Sequence, residues 1–255
     1  MQQFKPLFSD LSYQGTFSNV QRCLRLNDLE EIGDSTHYLV FSMLGFFSFR
    51  QLKVPEVINF WLSFLRHVNL YPHYVTIHPD KVDEWRQYYP DDMQIKVDPE
   101  CLWSDGSIGG YCTEFYYNDI EIGNIVNPLG TCIDVGFGLE RLVNLKYNLP
   151  ILSKQDILLD CIKSIIDCGY EPSANKQGFV LRKLLIQLSH TDKVLEHPFY
   201  EKIVEVQLSQ YNKYLEMTGR SEFYKRKSPQ WWKNSFGIDI EQLQKYENLK
   251  RKHKM

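Results

Sequence analysis

The six cysteines, Cys23, Cys101, Cys112, Cys132, Cys161 and Cys168, include no C-x-x-C pair and no Cys/His cluster of zinc-finger spacing. N-x-S/T acceptor sites are absent as well. These gaps remove the usual sequence support for a zinc finger, a dithiol redox motif or a secreted disulfide scaffold, so buried free thiols are expected. The opening MQQFKPLFSD has no basic start followed by an apolar run, and the longest uncharged stretch, Ser35 to Phe49, is too short to span a bilayer. No membrane partner is expected, and the cytoplasm is the expected compartment. A G-x-x-x-x-G-K-[ST] phosphate loop is also missing, so any nucleotide site must use another design.

What is present is ample core material. The 255 residues are 43% hydrophobic and 14% aromatic, enough for one large domain or two small ones. The net charge of −3 divides unevenly, at −8 over residues 1–150 and +5 over residues 151–255. Basic blocks such as Lys225-Arg226-Lys227 and Lys250-Arg251-Lys252 suit either phosphate contact or ordinary solvated surface.

Val57, Phe60, Trp61, Phe64, Leu65 and Val68 recur at helical spacing behind Pro55, which predicts an amphipathic helix over 55–68. Short β-branched and aromatic segments follow at 74–78, 113–117, 120–126 and 131–135, broken by Asn118-Asp119 and Pro128-Leu129-Gly130. Beyond Arg141 the pattern becomes helix upon helix, at roughly 154–168, 178–190, 198–218 and 239–250. Strands followed by helices predict an α+β fold with an antiparallel sheet, and a domain boundary near residue 150.

Gly136-Phe-Gly138-Leu-Glu-Arg141 sets two glycines where backbone can approach a ligand, then opens a helix with an arginine in its first turn. Upstream stand Gln21-Arg22-Cys23-Leu24-Arg25, Asn27-Asp28-Leu29-Glu30 and Met43-Leu44-Gly45-Phe46-Phe47-Ser48-Phe49. Cys112-Thr-Glu114, Glu121-Ile-Gly-Asn124-Ile-Val126 and Asp134-Val-Gly-Phe-Gly-Leu-Glu-Arg141 follow in order. This series resembles the active site of the alanyl-tRNA synthetases, with motif 2 in the early segments and motif 3 in the last. Gly178-Phe-Val-Leu-Arg182-Lys183 and Ser235-Phe-Gly237-Ile resemble that family's tRNA-recognition helices. The resemblance implies a class II synthetase-like antiparallel sheet flanked by helices over 1–150, then a helical tRNA-recognition-like domain over 151–255.

It also implies roles. Arg25 resembles the motif 2 arginine on the ATP α-phosphate, and Arg141 the motif 3 arginine on the γ-phosphate; guanidinium forks suit charge that develops during adenylation. Phe41 is similar to the aromatic residue that stacks on adenine, with Val40 as the alternative placement. His37 looks like a motif 2 histidine near the phosphates, though a structural role suits it equally. Asp134 is similar to the aspartate that holds the substrate α-ammonium, Asn124 to the asparagine beside the amino acid, and Trp103 to a pocket-wall tryptophan. Glu114 resembles a carboxylate near ATP that helps organise Mg²⁺, while Arg182, Lys183 and Asn234 fall where the family meets tRNA. ATP, Mg²⁺, a small amino acid and tRNA are thus the implied ligands.

The pattern also departs from the family. The resemblance starts past motif 1, which leaves the oligomeric state open. The motif 2 loop lacks the family's glycine-lysine segment, Ser42 replaces a glutamate, the C-G-P-C run is reduced to Gly109-Gly110-Tyr111-Cys112, and Asn234 replaces an acidic residue. No counterpart of the zinc-bearing editing domain is recognisable, so no zinc is expected. Three functions follow: a minimal alanine–tRNA ligase; an adenylate-forming paralogue that passes the acyl group to a carrier protein or small amine; or a non-catalytic binder of tRNA or a synthetase. Retention of Arg25, Asn124, Asp134 and Arg141 together argues against the last.

Overall fold

The computed structural model describes residues 4–27, 29–34, 36–150, 152–191 and 198–252. The chain divides into two compact units, Met1–Cys23 with Phe41–Pro150, and Leu24–Val40 with Ile151–Met255. The elements of the first unit run α1 (Lys5–Ser9), β1 (Gly15–Leu24), β2 (Val40–Phe49), α2 (Val54–His67), β3 (Tyr74–Ile77), α3 (Val82–Trp85), β4 (Gln94–Val97), β5 (Leu102–Ser104), β6 (Gly109–Tyr117), β7 (Ile120–Pro128), β8 (Cys132–Gly138) and α4 (Leu139–Tyr147).

Among the described residues these strands form one eight-stranded sheet, in the order β1-β2-β8-β7-β6-β3-β4, with β5 added against β6. Neighbours are antiparallel in the pairs of β8 with β2 and β7, and of β6 with β7, β3 and β5. The sheet is antiparallel as expected except at one edge, where β3 and β4 run parallel. The chain between them turns through Pro79–Lys81, α3 and Arg86–Tyr88, long enough for the crossover that a parallel pair requires.

Tight turns help set the register of the central strands. Asn118 and Asp119 both adopt positive φ, at 50° and 60°, joining β6 to β7. That geometry matches the twist of a hairpin, and short polar side chains tolerate it. The hairpin of β7 and β8 turns through the three residues 129–131, with Leu129 and Gly130 at φ 57° and 69°.

Alternation then sorts the two faces of the sheet. Val75, Ile77, Phe115, Ile125, Ile133, Val135 and Phe137 point to one side, where they pack with Val57, Ile58, Trp61, Leu62 and Leu65 of α2. Trp61 stacks on Phe137 with ring centroids 4.5 Å apart. Each such buried side chain is worth about 1.5–3 kcal/mol, so this layer anchors the sheet from behind. The Glu56 carboxylate accepts the Lys53 backbone N–H at 2.8 Å where α2 begins, and Pro55 occupies the first turn, the latter as the sequence pattern expects.

The second unit holds α5 (Lys154–Asp167), α6 (Lys176–Ser189), α7 (Tyr200–Leu215), α8 (Ser221–Lys225), α9 (Pro229–Phe236) and α10 (Ile240–Lys252). The short helices α8 and α9 lie between the expected helical stretches. Residues 24–40, expected as part of the first domain, cluster with these helices instead. Their apolar side chains explain it: Ile32, Leu39 and Val40 are buried with Leu158 and Ile162 of α5, Leu181 and Leu185 of α6, and Ile203 of α7. A second cluster joins Tyr200, Val204, Trp232, Phe236 and Leu243. No helix among the described residues is long and apolar enough to cross a membrane.

All six cysteines are free. Four are buried, but Cys168, at the C-terminal end of α5, is exposed and Cys23 is half-buried, which corrects the expectation that all are buried thiols.

Candidate active site

The sheet face opposite α2 carries the polar residues. Cross-strand partners share a face, and the register sets two rows across it. One row runs Gly45, Gly136, Asn124, Glu114 and Thr76. The next runs Phe47, Asp134, Val126 and Cys112. Asp134, Asn124, Glu114 and Gly136, named from sequence as site residues, therefore stand together.

Asp134 is the most unusual electrostatically. Among the described residues no side chain forms a hydrogen bond or ion pair with its carboxylate. Burial pushes its pKa up to about 6, because removal from water disfavours the charged form. A cationic group placed against it would reverse that cost.

Glu114 is held firmly. Thr76 Oγ1 and Tyr116 Oη donate to its Oε2 at 3.2 and 2.8 Å. Burial and the Glu114 contact in turn raise the pKa of the Tyr116 phenol. A carboxylate oriented by two hydroxyls is a suitable donor for a hard cation such as Mg²⁺.

Gly45 and Gly136 contribute no side chains of their own to the centre of the face. A Cβ at Gly136 would come within 3.0 Å of Met43 Sδ. Gly138 caps α4 with ordinary negative φ, so its glycine matters by lacking bulk rather than by backbone freedom. Phe41 precedes Met43 and Gly45 on the same side of β2, half-buried, whereas Val40 is buried in the core of the second unit. Trp103 stands on β5 opposite Gly110, half-buried, and packs against Cys101, Cys112 and Val126.

Arg141 lies in the first turn of α4. Its Nη1 donates to the backbone carbonyl of Glu121 and stands 3.8 Å from that residue's carboxylate. Glu140, beside it, accepts the backbone N–H of Ser42 at 2.7 Å, tying α4 to β2. Both partners lie far away in sequence, and the resemblance offered no signal for either contact.

Two expected residues belong to the second unit. Arg25 follows β1 directly, is exposed, and donates its backbone N–H to Leu39 at 2.8 Å. His37 lies between two carboxylates, with Nδ1 2.6 Å from Asp34 and Nε2 3.2 Å from Glu31. Burial raises the Asp34 carboxyl, but the amides of Thr36 and His37 and the His37 ring outweigh it and hold the pKa at about 2. The surroundings of His37 thus favour organising its loop. Asp28, quoted within the motif 2 resemblance, lies outside the described residues.

Of the expected tRNA-facing residues, Arg182 and Lys183 sit on α6. The Arg182 guanidinium lies 5.1 Å from the Phe236 ring, and Lys183 Nζ 5.0 Å from that of Phe179. Asn234, exposed on α9, accepts from Gln230 Nε2 at 2.8 Å. Asn19 carries no sequence signal of a role, yet its Oδ1 is buried without a hydrogen-bond partner among the described residues, directly over Gly45.

A mixed sheet with helices behind it and this polar front is the class II synthetase fold, and residues 1–126 match the family described as tRNA synthetases class II (A). Similar curated proteins are alanine–tRNA ligases. That of Legionella pneumophila (strain Corby) is 30% identical over 294 residues, covering 80% of this chain and 33% of the ligase. That of Chlamydia trachomatis (serovar L2, strain 434/Bu) is 28% identical over 287 residues, with the same shares. That of Desulfitobacterium hafniense is 25% identical over 260 residues, covering 72% and 30%. The chain is an alanyl-tRNA synthetase-like protein, and it spans about a third of the length of the curated relatives it matches.

Proposed function

We propose that this chain activates a small amino acid, alanine first, with ATP to form an aminoacyl-adenylate, and passes the acyl group to the 3′ end of a tRNA. The observation that carries the reading is the Asp134 carboxylate, half-buried beside Asn124 and Gly136 with no side-chain hydrogen bond or ion pair among the described residues. An α-ammonium supplies the missing counter-charge, which fixes the amino acid with its carboxylate free to react. That carboxylate attacks the α-phosphorus and pyrophosphate leaves; the terminal ribose hydroxyl of tRNA then attacks the acyl carbon and AMP leaves.

Asn124 borders the amino acid, Trp103 forms a wall, and the small residues Gly136 and Gly138 admit the ligand closely. Arg141 neutralises charge on the triphosphate, exchanging its Glu121 contact for phosphate oxygens. Arg25 keeps the α-phosphate role implied by its resemblance. Glu114 fits Mg²⁺ as an oriented carboxylate donor; when bound, that ion supplies charge neutralisation at the phosphates.

Alanine-dependent exchange of pyrophosphate into ATP is the test, with serine and glycine alongside. Exchange with alanine, abolished by Asp134→Asn, is the expected result. No exchange with any amino acid overturns the reading in favour of a non-catalytic binder. A second reading concerns only the acceptor: Asn234 presents an amide engaged with Gln230 where a carboxylate would serve acceptor-stem reading, which favours a carrier protein or small amine. Transfer of radiolabelled alanine to total tRNA separates the two.

A further inference from the structure

Cys101 and Cys112 are separated by ten residues in sequence, but β5 and β6 bring them side by side. Cys112 donates its backbone N–H to Cys101 at 2.9 Å, one step beyond the paired residues Leu102 and Tyr111. Both side chains are buried, at 0% and 3% exposure. Glu114 stands two residues beyond Cys112 and so shares its face. The two sulfurs and a Glu114 oxygen all lie within 4.8 Å of one another.

The surroundings are those of a ligand set held in place. Cys101 Sγ donates to Thr76 Oγ1 at 2.9 Å, and Thr76 donates to Glu114 at 3.2 Å, while Tyr116 donates to the same carboxylate oxygen. One hydroxyl thus links a thiol to the carboxylate, and both hydroxyls bond Oε2, leaving Oε1 aimed elsewhere. Outer hydrogen bonds of this kind orient ligating groups.

We propose that Cys101, Cys112 and Glu114 form a binding site for a thiophilic divalent cation, Zn²⁺. Two thiolates and one carboxylate suit its tetrahedral chemistry and leave a fourth position for water. Binding releases the two thiol protons, so it strengthens with pH. Because Glu114 is shared, Zn²⁺ competes with the Mg²⁺ role assigned to that carboxylate above. The cysteine spacing carries no zinc motif; the sheet register, not the spacing, assembles this site.

The test uses the reduced, metal-stripped full chain titrated with Co²⁺, read by the thiolate-to-cobalt charge-transfer band in the near ultraviolet, then with Zn²⁺ to displace it. The expected result is one equivalent bound, with the band lost in Cys101→Ser and in Cys112→Ser. Thr76→Val, which keeps every ligand, weakens Zn²⁺ binding by about 10- to 100-fold. No band in the wild type, or a band that both serine variants retain, overturns the proposal. Should the serine variants fail to fold by circular dichroism, the Thr76→Val affinity decides, and an unchanged value overturns it. These readouts require no adenylate formation, so they stand or fall apart from the synthetase reading.

Discussion

Arg141 in the first turn of α4 reaches back to Glu121 on β7, donating to its carbonyl and standing 3.8 Å from its carboxylate. The contact holds the guanidinium against β7, and under the proposed function a triphosphate would have to compete with it. Both side chains are partly exposed, at 25% and 38%, so the ion pair itself contributes little to stability, under about 1 kcal/mol.

Removing that competitor distinguishes its two functions. Glu121→Gln keeps the backbone acceptor while deleting the charge, and is expected to lower the KM for ATP with little change in Tm. Arg141→Ala is expected to cut pyrophosphate exchange by about 10²–10³, the usual cost of a lost donor to developing charge. Arg141→Lys recovers only part of this, because an ammonium cannot replace the fork. Full exchange activity in Arg141→Ala sinks the assigned role.

Asp134 ties stability to pH. Its carboxyl is raised from 3.8 to about 6 by burial, so protonation favours the folded chain. The stabilising contribution is complete below about pH 4 and is lost as pH rises through 6, an effect of roughly 3 kcal/mol. Asp134→Asn removes this term, so urea titrations should show the variant gaining on the wild type between pH 4 and pH 7. A constant difference between the two across that range contradicts the raised pKa of this half-buried carboxylate.

Binding runs the other way, since only the ionised carboxylate attracts an ammonium. The kcat/KM for the amino acid, which reports the free enzyme, should fall about tenfold per pH unit below pH 6. A profile flat down to pH 4.5 would remove Asp134 from the amino-acid site.

Gly237 ends α9 at φ 69°, and a Cβ there would strike the Leu185 backbone of α6. The left-handed backbone alone costs a non-glycine residue about 1–2 kcal/mol, and the overlap with backbone adds to it. Gly237→Ala should therefore lower the urea midpoint of the second unit by more than Gly219→Ala, whose glycine also has positive φ but open space around it.

Lys183 is exposed on α6 above Phe179. Its replacement by alanine is expected to weaken tRNA binding uniformly across sequences and to reduce the salt dependence of log K by about one unit of slope. Pyrophosphate exchange without tRNA should remain at wild-type level. Unaltered tRNA affinity would place Lys183 outside the acceptor surface.

Much of the frame was legible because its signals are local. The stripe from Val57 to Leu65 behind Pro55 foretold α2, and Asn118-Asp119 foretold a hairpin turn, since helix period and turn backbone depend on near neighbours. The order of the motifs foretold which strands carry Glu114, Asn124 and Asp134. The parallel β3–β4 edge was invisible because nothing in either strand encodes the direction of its partner.

The sequence by itself determined the ordered motifs and the alternation that makes one sheet face apolar. Only the tertiary structure decided what meets on the other face. It set Thr76 and Tyr116 on Glu114, left Asp134 without a side-chain partner among the described residues, paired Arg141 with Glu121, and joined Cys101 to Cys112. It also drew residues 24–40 into the helical core through Ile32, Leu39 and Val40. The reason is register: each pairing is fixed by the sum of contacts along whole strands, and a slip of one residue would turn every one of these side chains to the opposite face.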